Sequence, residues 1–122
     1  MNRLRRACCL GLLAAAVGHA ASAPSAAEQT RIDRLLDAVS KNASARFIRN
    51  GNDYSGADAA VFLRRKLQAF GGDVKTAEDF IDQIATKSST SGRLYTVRLA
   101  DGREIPSAVF LKSELSRIEA GR

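Results

Sequence analysis

The first twenty residues decide which side chains the rest of this chain has to fold with. Arg3, Arg5 and Arg6 give a cationic start, an apolar run follows from Ala7 to Val17, and small residues continue through Ala23. That order of cationic end, short apolar core and small-residue cut site is the plan of a secretory signal peptide. The run falls short of the ~20 apolar residues that a permanent membrane span requires. Residues 1–20 are therefore expected to be a Sec-type signal peptide, cleaved near Ala20 to Ala23. Gly18-His19-Ala20 suits a cut before Ala21, whereas Ala21-Ser22-Ala23 would leave Pro24 just past the cut. Removal takes Cys8, Cys9 and His19 with it, and the chain has no tryptophan. About 100 residues then have to build one domain on a hydrophobic core alone, without a disulfide.

Export also halves the charge. Losing Arg3, Arg5 and Arg6 lowers the net charge from +6 to +3. A nucleic-acid reader concentrates more positive charge and more aromatic side chains than this, so nucleic acid is not an expected partner. Weak attraction to an anionic polymer or membrane surface stays open.

Residues 21–27 (ASAPSAA) are expected to be a flexible tether, followed by a single α+β domain over 28–120. Ile32, Leu35, Leu36 and Val39 recur at helical spacing. Asn42-Ala43-Ser44 breaks that period. Arg46 to Arg49 is β-prone, and Asn50-Gly51 suits a type I′ turn into a return strand that can only be short, at Asn52 to Tyr54. Ser55-Gly56-Ala57-Asp58 reads as a capping box for a helix carrying Ala59, Leu63, Leu67 and Phe70 inward, with Phe62 on its flank. The run Arg64-Arg65-Lys66 crosses that helix as a solvated face, and Gly71-Gly72 closes it.

A second capping box, Thr76-Ala77-Glu78-Asp79, opens a helix with the stripe Ala77, Phe80, Ile81, Ile84 and Ala85. Leu94 to Leu99 alternates as a half-buried strand with Tyr95, Val97 and Leu99 on one side. Asp101-Gly102 turns into a short strand at Arg103 to Ile105, which Pro106 confines to an edge or an end. Ser107 is expected to cap a last helix with Phe110, Leu111, Leu115 and Ile118 inward. The order is α-β-α-α-β-β-α, a small antiparallel sheet of about three short strands packed with about four helices.

The residues Phe47-Ile48-Arg49-Asn50-Gly51, Leu63-Arg64, Lys66-Leu67, Thr76-Ala77-Glu78, Phe80-Ile81-Asp82, Ser88-Ser89, Ser91-Gly92 and Tyr95 resemble the YfeK-like family. These are small secreted proteobacterial proteins, classed as a domain of unknown function. The resemblance runs from about Glu28 to Leu115. It implies a periplasmic location in a Gram-negative bacterium and brings no activity. The chain departs from it at Phe62, where members often carry His.

A mature chain without His or Cys has no Ser-His-Asp triad, no thiol nucleophile and none of the usual zinc sites. No Ser stands three residues before a Lys, and no P-loop, dinucleotide fingerprint or EF-hand spacing occurs. No metal and no cofactor are expected. Glu78, Asp79 and Asp82 form a carboxylate group whose spacing helix capping already explains. The loop Lys87 to Arg93 is the leading site candidate: Ser88, Ser89, Thr90 and Ser91 with Gly92 and flanking cations suit an anionic group. Arg49 and Asn50, at the first turn, are candidates to join Ser88, Ser89, Ser91 and Arg93 in contacting a ligand or protein partner. The expectation is a non-catalytic periplasmic binding or accessory module that recognises an anionic or peptide-like group. The alternatives are a small hydrolase using Ser and Lys or paired carboxylates, and a basic peripheral protein on an anionic surface.

Overall fold

The computed structural model describes residues 23–121, so the signal-peptide expectation, with Cys8, Cys9 and His19, lies outside the described residues. Helix α1 spans Ala26–Lys41, β1 Arg46–Arg49, β2 Asn52–Tyr54 and α2 Gly56–Phe70. Helix α3 spans Ala77–Gln83, β3 Thr96–Arg98, β4 Glu104–Pro106 and α4 Ser107–Ala120. The class is α+β as expected, but the sheet has four strands rather than about three. The fourth is the short return strand β2, left out of the expected element order, which the two-residue Asn50-Gly51 turn folds back along Phe47 to Arg49 of β1. Asn50 (φ 51°) and Gly51 (φ 83°) both adopt positive φ, the conformation a type I′ turn demands.

Hydroxyl caps start the first three helices. The side chains of Ser25, Ser55 and Thr76 accept from the backbone N–H groups of Glu28, Asp58 and Asp79 respectively. With Ser25 as its cap, α1 takes Ala26 and Ala27 out of the expected tether. The fourth helix differs from expectation. Ser107 is its first residue rather than its cap, because Pro106 occupies the N-cap position and its ring presets an extended approach.

The sheet order is β2-β1-β3-β4, antiparallel throughout, so two hairpins are joined through their inner strands. Phe47 pairs with Tyr54 on one side and Val97 on the other, and Val97 pairs with Ile105, which sets one apolar face. On the alternate face, Arg98 binds Asp53 at 2.8 Å and approaches Glu104 at 3.6 Å. The Arg98 guanidinium holds the Asp53 carboxyl below its usual range.

Helical stripes cover the apolar face. Ile32, Leu35, Leu36 and Val39 from α1 join Phe80, Ile81, Val97 and Leu111 in one dry cluster, all no more than 1% exposed. Phe47 and Phe110 meet edge to face at 5.7 Å. Helices α1 and α2 cross at Gly56, where a Cβ would sit 2.1 Å from the Val39 carbonyl oxygen, a backbone approach only glycine permits. Phe70, expected inward, is 64% exposed because the last turn of α2 runs past the core.

Candidate functional site

In the loop Lys87 to Arg93, Ser88 and Ser91 bond the loop's own backbone. Ser88 is buried, and its hydroxyl accepts from the backbone N–H groups of Thr90 and Ser91 while meeting the Thr90 hydroxyl at 3.1 Å. The Ser91 hydroxyl accepts from the Arg93 N–H and donates to Asn50 Oδ1 at 2.7 Å. The backbone closes the loop further, with Ser88 N–H donating to the Arg93 carbonyl and Gly92 N–H to that of Ser88. The N–H groups of Ser88, Thr90, Ser91, Gly92 and Arg93 are therefore engaged in holding the turn. Ser89 and Arg93 are exposed and point to no common centre with Arg49 that any contact defines. The structure does bring Asn50 to Ser91, tying the loop to the first hairpin.

Arg49 stands apart from both. It lies on the same strand face as Phe47 and, among the described residues, forms no ion pair. Its guanidinium carbon rests 4.1 Å from the Phe62 ring centroid and 5.1 Å from that of Tyr54. Nη2 donates to the Tyr54 hydroxyl at 3.1 Å. A guanidinium stacked on aromatic faces is held by the ring quadrupoles and keeps its remaining N–H groups unspent. It lines a cleft of about 410 Å³ together with Phe47, Tyr54, Phe62 and Tyr95 and the polar residues Asp58, Arg65, Thr96 and Ser107. Phe62 meets Tyr95 edge to face at 6.0 Å, so the aromatic walls brace one another.

Behind Tyr95 sits a residue the sequence reading placed in solvent. Lys66 is only 7% exposed. Its ammonium donates to the Lys87 carbonyl at 2.6 Å and to the Tyr95 hydroxyl at 3.1 Å. Burial, then the nearby Arg49 charge, pushes the Lys66 pKa down. Burial raises that of the Tyr95 hydroxyl, with Arg49 opposing. The proton thus stays on the phenol, and Lys66 fixes both the ring and the entry to the loop. Helical spacing carried the signal, since Lys66 follows Leu63 by three residues and Ala59 by seven.

The other candidate chemistries resolve into structural contacts. Glu78 makes a two-pronged pair with Arg31 at 3.0 and 2.8 Å, Asp79 accepts from the Lys75 N–H, and Asp82 pairs with Lys112 at 3.2 Å. Arg31 also binds Glu28 and Glu119, and these partners, Glu78 first, hold its guanidinium still more firmly protonated. Of the basic run, Arg64 pairs with Asp33 at 3.2 Å. Among the described residues, no group of three or more His, Cys, Asp or Glu is placed to hold a metal ion. None of the helices described is long and apolar enough to cross a membrane.

Comparison with known proteins agrees with the YfeK-like resemblance. The chain is 37% identical over 71 residues to a Salmonella typhimurium protein described as uncharacterized protein YfeK. The match covers 58% of this chain and 59% of that relative, so it spans about three fifths of each. No solved structure matches the chain. Residues 26–119, which run from the first residue of α1 into the last turn of α4, match a family of unknown function, DUF5329, and to that family this protein belongs.

Proposed function

We propose that this protein is an exported, non-catalytic binding module of the periplasm that recognises an anionic or peptide-like group through Arg49. One observation carries the reading. A half-buried guanidinium, without a carboxylate partner among the described residues, is stacked on Phe62 and Tyr54 in an aromatic-walled cleft. A cation in such surroundings is under-neutralised, and a planar anion carrying an apolar body satisfies both the charge and the walls. The loop Lys87 to Arg93 has a supporting part in this reading: through Asn50 and Lys66 it steadies the strand ends from which Arg49 and Tyr95 project.

The test is a ¹H–¹⁵N NMR titration of the mature chain with 3-phenylpropionate, against its neutral amide as control. Saturable shifts centred on Arg49, Tyr54 and Phe62, absent with the amide and lost in Arg49→Gln, are the expected result. Equal response to acid and amide would remove Arg49 from recognition. For the exported state, mass spectrometry of the native product is expected to find an N-terminus near residue 21.

A further inference from the structure

The Arg49 cleft has a second wall feature that the reading above does not use. Ser107 borders the cleft and is only 5% exposed. Its backbone N–H donates to the Tyr95 carbonyl at 2.9 Å, which anchors the start of α4 beside the aromatic wall. Its hydroxyl, by contrast, makes no hydrogen bond to any described residue. No buried side-chain oxygen or nitrogen among the described residues lacks a partner, so the little surface Ser107 keeps includes that hydroxyl. The opening it borders is the Arg49 cleft. A hydroxyl that opens on a cleft and has no internal partner is free to bond what fills that cleft.

Its position on the helix says what kind. Ser107 is the first residue of α4, at the positive end of a 14-residue helix dipole. Pro106 at the N-cap supplies no side-chain hydrogen bond to the first turn. The partner favoured there is an acceptor with negative charge. Arg49, which lines the same cleft, favours the same kind of partner.

We propose that Ser107 is a second anchor for the ligand's anion, and that this ligand is a small carboxylate on an apolar or aromatic body. The proposal rests on the binding role of Arg49 and adds its specificity. A carboxylate fits better than a phosphate because the charged groups lining the cleft, Arg49, Arg65 and Asp58, sum to a single positive charge. A phosphate dianion would bring more charge than those groups neutralise. About 410 Å³ lies at the lower end of the range for small-ligand pockets, enough for one aromatic acid or the last residue of a peptide. A free acid and a peptide C-terminus present the same carboxylate chemistry.

The experiment measures affinity by NMR titration for wild type, Ser107→Ala, Ser107→Thr and Arg49→Gln. The probes are 3-phenylpropionate, N-acetylphenylalanine as a peptide C-terminus, and inorganic phosphate. Removing a hydrogen bond to a charged group is expected to weaken both acids about tenfold in Ser107→Ala. Ser107→Thr, which keeps the hydroxyl, should stay within about threefold of wild type, where the same exchange rescues the same bond. N-acetylphenylalanine binding more tightly than 3-phenylpropionate would mark a peptide C-terminus as the source, and the reverse a free acid. Undiminished binding in Ser107→Ala with loss in Arg49→Gln overturns this proposal and spares the Arg49 reading. No saturable acid binding in wild type sinks both. Phosphate binding more tightly than either acid overturns the carboxylate assignment.

Discussion

Two arginines in this fold live under opposite conditions. Arg31 sits where α1, α3 and α4 converge, and three carboxylates surround it: Glu28, Glu78 and Glu119. Glu28 also accepts from the Ala77 N–H, so the cluster extends the capping of α3. Arg49 has rings where Arg31 has carboxylates. The first arginine's hydrogen-bonding capacity is spent on joining three helices. The second is positioned just as firmly, by stacking, yet keeps its charge uncompensated. An arginine neutralised from within the chain holds a fold together; one oriented but left unneutralised is equipped to meet something else.

The contrast can be broken or sharpened by substitution. The largest expected effect lies beneath the Arg31 cluster, where Phe80 of α3 is fully buried. Phe80→Ala should cost about 3–5 kcal/mol in urea unfolding, enough to threaten a domain this small. A cost under about 1 kcal/mol would mean that this region is not the centre of stability.

Arg31→Ala should cost less, about 1 kcal/mol at neutral pH, since its partners remain partly solvated. That cost should depend on pH. The hydrogen bond from Arg31 holds the Glu78 carboxyl below its usual range. A carboxyl with a lowered native pKa gives stability that is fully present above the ordinary glutamate range, about pH 4.3, and lost as pH falls through the native value. The gap between wild type and Arg31→Ala should therefore close on acidification. A gap that stays constant from pH 7 to pH 3 would show the cluster to be packing rather than charge.

The smallest effects belong to the other side of the comparison. Arg49→Ala should lower stability by less than about 1 kcal/mol, the worth of an accessible cation–π contact. Arg93→Ala, on an exposed loop residue, should stay within about 0.5 kcal/mol. If Arg49→Ala unfolds the protein, Arg49 is a structural residue like Arg31, and the comparison collapses.

What could be read from the sequence tracks how local the determining physics is. The stripe of α1, the caps Ser55 and Thr76 and the Asn50-Gly51 turn depend on neighbours a few residues apart, and each appears as expected. Pro106 falls on an edge strand for the reason its missing N–H dictates. The errors concern contacts made at long range. Lys66 carries a charge that reads as solvated, but its stem follows the buried face of α2 until the ammonium reaches the Lys87 carbonyl, 21 residues away. Phe70 obeys the period of α2 yet lies beyond the core's reach. The loop Lys87 to Arg93 is a different case: its hydroxyl-rich composition suggests a ligand contact, and the structure adds that Ser88 also bonds the loop's own backbone two and three residues on. Arg49 could be singled out from the sequence as one residue, whereas its aromatic setting comes from Phe62 on α2 and needed the fold to be seen.

The outer strands of the sheet carry a consequence for how copies of this protein meet. Strand β4 ends at Pro106, which presents no N–H along that margin, and β2 at the opposite margin is three residues long with Asp53 at its middle. Short, charged or proline-bearing margins make poor templates for a neighbour's backbone. The fold thus resists ribbon-like self-association from both sides, a safeguard for a domain whose sheet is closed by neither a barrel nor a disulfide.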